Sequence, residues 1–396
     1  MKDPIWLPTL TNMSTDNGQA IRLWNLIAQF AKEREVHLLC PKVDGPNKRR
    51  CRGLAGYHSI LDRPFSGRGY FSLAFYFELG RIFKRINAIV EPRGLIYTDT
   101  ILLTNRRKSF RHDLPVVLEV NGIAHEENIS KGYYGPGSLI GRVFHRVERK
   151  GIGNADRIIC VTEGLKGYLT AEMGIDGGKV SVIGNGVDTK MFDPGKELDP
   201  PAEFERYMNR ARIVFVSGFR PWHGVDNLIR SVEIASRKDD DIMLFLIGKG
   251  PELDASKDLV HDLRLDGWVV FLGEKDQREI PRYVQHSDLS VYFPNVETSD
   301  YVKKIGLSSM KLYEYMAMEK PVVTVDVMGL GQIVKDEGCG LVTPPDREKF
   351  AEAILELLGN GKRMKEMGRR GRRAIETKYT WKNIATRIET EFEGLQ

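Results

Sequence analysis

The sequence predicts an α/β protein built as two facing, doubly wound, Rossmann-like domains, and three observations predict it. Short β-branched or apolar runs recur along the chain, helical stretches separate them, and the whole alternation occurs twice. Continuous apolar strands alternating with helices imply a parallel sheet covered on both faces. A length of 396 residues also suits two cores better than one.

The first series of strands is read at Ile5–Leu7, Val36–Cys40, Leu95–Tyr97, Val116–Val120, Arg157–Val161 and Val180–Ile183. The second is read at Ile213–Ser217, Met243–Ile247, Val269–Leu272, Leu289–Phe293, Val322–Val325 and Gly340–Val342. Helical patterns lie between them, among them Gly18–Ala31, Gly164–Glu172, Val225–Ala235 and Ser309–Met318. Asp193-Pro194-Gly195 and Asp199-Pro200-Pro201 break regular structure between the two series. The expected division is therefore a first domain over 1–190, a linker over 191–210 and a second domain over 211–377. The closing helix, around Trp381–Phe392 within 378–396, is expected to pack back on the first domain. Parallel sheets bind ligands beyond the carboxyl ends of their strands, so the site is expected in the cleft between the domains.

Composition is that of an ordinary globular protein, 41% hydrophobic and 29% charged. Cys40, Cys51, Cys160 and Cys339 are far apart and form no metal-knuckle or redox spacing, so they read as reduced thiols of a cytoplasmic protein. The opening MKDPIWLPTLTNMSTDNG has no apolar core behind a basic end and does not read as a signal peptide. No apolar run approaches the roughly 18 residues of a membrane span. The expectation is a soluble chain, or one peripheral at the inner face of a membrane.

The net charge of +5 is unevenly spread. Residues 1–193 hold 28 Lys and Arg against 20 Asp and Glu, and the remainder holds 31 against 34. Basic clusters in the first half include Lys48-Arg49-Arg50 with Arg52, Arg81/Lys84/Arg85, Arg106-Arg107-Lys108 and Arg142/Arg146/Arg149-Lys150. A solvated face is one reading; a surface for anionic lipid or a phosphorylated acceptor is the other. Nucleic acid is not expected as a partner, because the clusters lack interleaved aromatics for base stacking.

The segment Ser308–Val323, SSMKLYEYMAMEKPVV, is the most informative in the chain. It puts two serines at a helix start, where unpaired N–H groups and a positive dipole end suit a phosphate. Lys311 and Glu314 follow on one face at i,i+3 spacing, a cation for phosphate and a carboxylate for sugar hydroxyls. The bland alternative is a surface helix capped by Ser.

An ordered set of turns resembles family 4 of the GT-B glycosyltransferases, from about residue 5 to 393. The set comprises Val180–Asp188 with Phe192, Ile213–Val225 (IVFVSGFRPWHGV), Leu246–Glu252 (LIGKGPE), Phe271–Gly273 and the S-x-x-K-L-x-E-Y-M-A variant of the Ser308 motif. In the first half, Asp16–Arg22 (DNGQAIR) and Leu118–Gly122 (LEVNG) resemble the family's sugar- and acceptor-facing loops. The resemblance implies donor contacts from Gly18, Ser217, Gly218, Arg220, His223, Gly250, Ser309, Lys311, Leu312 and Glu314. Glu314 stands where the family clamps ribose hydroxyls. Gly218 stands where the family usually has Arg, and His223 where it has Lys, so Arg220 is the alternative phosphate contact. The first Glu of the family's E-x7-E motif falls at Gly306, which leaves Lys311 or Glu297 to meet the donor sugar.

On the acceptor side, Asn121 stands where many relatives resemble a His-bearing catalytic loop, and His125, Glu126 and Glu127 follow. Asn121, His125 and Glu126 are the catalytic candidates, with helix capping as the alternative for Glu126 or Glu127. Glu119 falls inside a strand, where an unpaired carboxylate would be costly. Residues 70–86 place Phe71, Phe75, Leu79, Ile82 and Ile86 on one stripe beside Arg81, Lys84 and Arg85. That stripe is either packed on its own sheet or an interfacial helix near a lipid carrier.

The resemblance implies a retaining transfer of sugar from a nucleoside diphosphate sugar to a glycan or polyprenyl-linked acceptor. No cofactor and no metal are expected, because cationic side chains can neutralise the diphosphate. A nucleotide-sugar epimerase of the same fold and a non-catalytic partner subunit are the alternatives. A nicotinamide dehydrogenase is not, since no G-x-G-x-x-G follows a strand.

Overall fold

Two all-parallel sheets carry the chain, each in its own unit, in a computed structural model. It describes residues 2–15, 17–62, 73–130, 132–296 and 300–395, and side chains of 73–77 are not described. Asp16, Phe71 and Glu297, together with the side chain of Phe75, therefore lie outside the described residues.

The first unit comprises residues 1–184 and 381–396. Its strands are β1 (Lys2–Pro8), β2 (Arg34–Pro41), β3 (Gly56–Leu61), β4 (Leu95–Thr98), β5 (Val116–Val120), β6 (Arg157–Cys160) and β7 (Val180–Val182), in spatial order β3-β2-β1-β4-β5-β6-β7. β4 and β5 are buried along their whole length, as β-branched and apolar runs covered on both faces should be. β3 is absent from the sequence reading because Gly56-Tyr57-His58-Ser59 is polar. It is an edge strand in which only Ile60 and Leu61 are buried.

The helix Gly18–Phe30 follows β1, its N-terminus closed by Asn17 accepting from the Ala20 amide. It buries Ala20, Leu23, Trp24 and Ile27 at helical spacing. The closing helix Trp381–Glu393 packs against it, with the Phe392 and Phe30 rings 5.8 Å apart. Glu389 of that helix pairs with Lys2 at 2.9 Å and Arg34 at 3.3 Å. The described part of the apolar stripe is core: Leu79, Ile82, Phe83 and Ile86 on the helix Leu73–Ile89 pack with Trp6, Ile96 and Val116. The interfacial-helix reading of that stripe is thereby corrected, since side chains buried against a sheet cannot enter a bilayer.

The second unit comprises residues 185–380. It holds β8 (Ala211–Ser217), β9 (Ile242–Gly248), β10 (Val269–Gly273), β11 (Leu289–Tyr292), β12 (Val322–Val325) and β13 (Gly340–Thr343), in order β10-β9-β8-β11-β12-β13. The stretch 191–210, expected as a linker, is instead part of this unit: Phe192 and Phe204 are buried in its core, and Phe204 packs on Phe245 at 4.1 Å. Breakers there stop helices and strands without stopping apolar packing.

Strand order reverses between β1 and β4 in the first unit and between β8 and β11 in the second. Open parallel sheets bind ligands at such points. No helix among the described residues is long and apolar enough to cross a membrane.

Candidate active site

At the reversal point of the second sheet, β8 ends at Ser217 and the chain turns through Gly218-Phe219-Arg220 into a short 3-10 turn, Pro221–His223. Phe219 adopts a positive φ of 43°, held there by its fully buried ring. The loop after β9 presses against this turn backbone to backbone. A Cβ at Gly248 would lie 1.8 Å from the Ser217 carbonyl oxygen, and one at Gly250 would lie 1.9 Å from that of Gly218. Gly250 therefore serves by having no side chain.

His223 is fixed inside this turn. Its Nδ1 lies 2.8 Å from Ser217 Oγ and accepts the Arg220 amide at 3.4 Å. Because Nδ1 accepts the Arg220 amide it carries no proton, and the Ser217 hydroxyl, which itself accepts from the Phe219 amide at 3.0 Å, donates to it. The imidazole is thus neutral with its proton on Nε2. Burial pushes its pKa down to about 4, and the nearby Arg220 charge adds to that. Arg220 itself is exposed. Helix Val225–Ser236 begins at Gly224 with no side-chain cap to its first N–H groups.

The second element is the helix Met310–Ala317. Ser309 makes no side-chain cap to it and instead hydrogen-bonds with the buried Tyr292 at the end of β11. Tyr315 anchors the helix to β8, its hydroxyl accepting from the Val216 amide at 2.8 Å. Asn185 anchors the approach to it, donating to the Ser308 carbonyl at 2.9 Å and to its hydroxyl at 3.0 Å. Lys311 Nζ lies 3.3 and 3.1 Å from the two carboxylate oxygens of Glu314, which is only 3% exposed. Leu312 is buried in the core of the unit, so its side chain is unavailable to a ligand. Its amide is bonded to the Ser309 carbonyl.

Gly306 explains the departure from the E-x7-E pattern. Its φ is +72°, and a Cβ there would stand 2.4 Å from the Met328 carbonyl oxygen. A glutamate does not fit that backbone.

In the first unit, Gly18 is the exposed first residue of its helix. Glu119 is not unpaired: it meets Arg22 at 2.9 Å, accepts from Asn121 Nδ2 at 2.8 Å and from the Tyr97 hydroxyl. Arg22 also donates to the carbonyls of Gly184 and Ile183. Asn121 is therefore tied into a buried network. His125 and Glu126 lie elsewhere, lining a pocket of about 390 Å³ with Arg142, His145, Arg146 and Tyr168. Tyr168 donates to Glu126 at 2.7 Å, and His125 Nδ1 lies 3.2 Å from the Tyr134 hydroxyl. Glu148 caps the helix Ala124–Ser130, accepting from the amides of Ala124 and His125 at 2.7 and 3.0 Å. Burial nonetheless pushes its pKa up to about 7.

Sequence reasoning missed Asn185, Tyr292, His145, Tyr168 and Glu148, because each acts through a contact distant along the chain. It also missed Asp99 at the first sheet's reversal point, which accepts from Thr9, Thr11 and Gln19 at 2.6–2.7 Å. Burial raises the Asp99 pKa. Asp239, Asp240 and Asp241 are close enough to share a cation, but they enter β9 at its amino end, away from the reversal point.

Residues 199–374 match the model for glycosyl transferases group 1, and residues 16–191 the model for glycosyltransferase family 4. The chain is 29% identical over 217 residues to a D-inositol 3-phosphate glycosyltransferase of Mycobacteroides abscessus, covering 53% of this chain and 46% of that one. It thus spans about half the length of that relative. It is 28% identical to an alpha-maltose-1-phosphate synthase of Mycolicibacterium smegmatis over 93% of both chains. The crystal structure of Anabaena HepE in complex with UDP-glucose superposes over 100% of both chains with a TM-score of 0.74 at 17% identity, a likeness of fold. That fold is GT-B, two Rossmann-like domains.

Proposed function

We propose that this chain, a glycosyltransferase by both family models that it matches, moves a sugar from a nucleoside diphosphate sugar to a glycan or polyprenyl-linked acceptor. The observation that carries the donor half is the convergence of two uncapped helix starts, neutral His223, exposed Arg220 and the Lys311–Glu314 pair on one sheet's carboxyl ends. The first parts suit a diphosphate, and the carboxylate suits ribose hydroxyls.

In this reading the anomeric carbon–oxygen bond to the β-phosphate breaks as an acceptor hydroxyl forms the new bond on the same face. The acceptor proton passes to the departing phosphate oxygen, and configuration is retained. Negative charge grows on the diphosphate, where the His223 Nε2–H, the Arg220 guanidinium and helix N–H groups stabilise it. Ribose hydroxyls donating to Glu314 release Lys311 toward phosphate. These cations meet the role a divalent metal would play, so the transfer is proposed to be metal-independent. His125 and Glu126 are the acceptor-side candidates. Asn121 acts as a positioning residue through Glu119. Gly18 supplies a helix start without a side chain.

The test is a screen of nucleotide sugars by thermal shift, since a bound donor stabilises the fold by mass action, followed by incubation of each hit alone and with glycan or lipid-linked acceptors. Transfer that requires an acceptor supports the reading. Stabilisation by no nucleotide sugar would overturn it.

A further inference from the structure

The helix Leu139–Gly153 of the first unit leaves three aliphatic side chains of its first turns outside. Gly141, Glu148, Gly151 and Ile152 form its buried face, and a Cβ at Gly151 would stand 2.5 Å from Ile101. The opposite face exposes Leu139 at 70%, Ile140 at 63% and Val143 at 50%, and Tyr133 in the loop before it is 55% exposed. The described residues expose only two other large hydrophobic side chains, Met208 and Met328, both in the second unit. The clustering on one helix is therefore particular to this place.

Beside the apolar strip runs a basic one. Arg142, Arg146 and Arg149 follow at i, i+4 and i+7, and Lys150 lies above Val143 and Arg146; all four are exposed. None pairs with a carboxylate among the described residues. The three arginines, with His125 and His145, line the pocket already described.

We propose that this helix is a docking surface for a bilayer containing anionic lipid. Leu139, Ile140, Val143 and Tyr133 enter the headgroup–acyl boundary, and the four cations meet lipid phosphates, their long stems reaching past the apolar strip. A second copy of the chain seated on this face across a two-fold axis would set arginines against arginines, so charge favours the lipid.

Sedimentation with phosphatidylcholine vesicles, with and without about 30% phosphatidylglycerol, tests this on the full chain. The expected result is binding to the anionic vesicles at low salt, loss in high salt, and weak binding without phosphatidylglycerol. The variant Leu139→Asp/Ile140→Asp/Val143→Asp should lose about ten-fold or more of that partition with an unchanged thermal midpoint, because all three side chains are already in water. Arg142→Glu/Arg146→Glu should do the same. Arg81→Glu/Lys84→Glu, on the helix whose apolar stripe is core, should bind as the parent does. No binding at low salt would overturn the proposal, as would binding that survives the Asp variant. A dimer that the Asp variant converts to monomer, without vesicle binding, would assign the face to self-association instead.

Discussion

The Nδ1 atom of His223 lies 2.8 Å from the Oγ of Ser217, and this contact decides which ring nitrogen faces outward. With Nδ1 accepting from the Ser217 hydroxyl and the Arg220 amide, only Nε2–H remains to donate. A neutral donor at this place needs no counter-ion and stays a donor at neutral pH.

His223→Ala should therefore lower turnover by about 10²-fold, the scale for removing one donor to developing negative charge, while shifting the thermal midpoint little. Ser217→Ala should cost less, since the ring keeps the Arg220 amide. Steady-state kinetics on a verified donor checks both; near-native turnover in His223→Ala would remove it from the diphosphate.

The same residue shapes stability against pH. Its pKa is about 4 in the fold against 6.5 ordinarily, so between those values the unfolded chain binds more protons and stability rises with pH. The contribution is complete above pH 6.5 and is lost as pH falls through 4. His223→Gln should flatten the thermal midpoint across that window; an unaltered pH profile would contradict the neutral, half-buried ring.

Arg22 and Glu119 are both buried and meet at 2.9 Å. Removing one partner leaves a buried charge, so Glu119→Ala should destabilise the chain by about 3–5 kcal/mol. Arg22→Met with Glu119→Leu should recover much of that loss in urea unfolding. A cost under about 1 kcal/mol for the single variant would mean that the pair is solvated.

Most of the fold was legible because parallel strands buried on both faces leave unbroken apolar runs, as Val116–Val120 and Val322–Val325 do. β3 was not, since an edge strand tolerates Tyr57, His58 and Ser59. In the site, Lys311 and Glu314 could be paired by helical spacing alone. The Ser217–His223 contact needed the turn geometry, and Asn185 needed a contact to Ser308 across 123 positions. The stripe read at 70–86 left two readings open because a core helix and an interfacial helix share one periodicity; the burial of Leu79, Ile82 and Ile86 separates them.

Gly306 offers a test of the departure from the E-x7-E pattern. Gly306→Glu should not strengthen donor binding and should destabilise the chain by about 1–3 kcal/mol, from positive φ and the Met328 carbonyl. Denaturation and calorimetry together check it; tighter donor binding without loss of stability would show that the backbone there accepts a side chain.

The proposed donor site puts a nucleotide sugar at the carboxyl ends of the second sheet, with Glu314 on its ribose. Titration calorimetry of the parent chain and Glu314→Gln, with whichever nucleotide sugar stabilises the parent, tests it most directly. The expected result is a dissociation constant weakened by about 1.5–3 kcal/mol, the worth of hydrogen bonds to a charged group, in a variant of parental stability. An unchanged dissociation constant would contradict the account and remove Glu314 from the site.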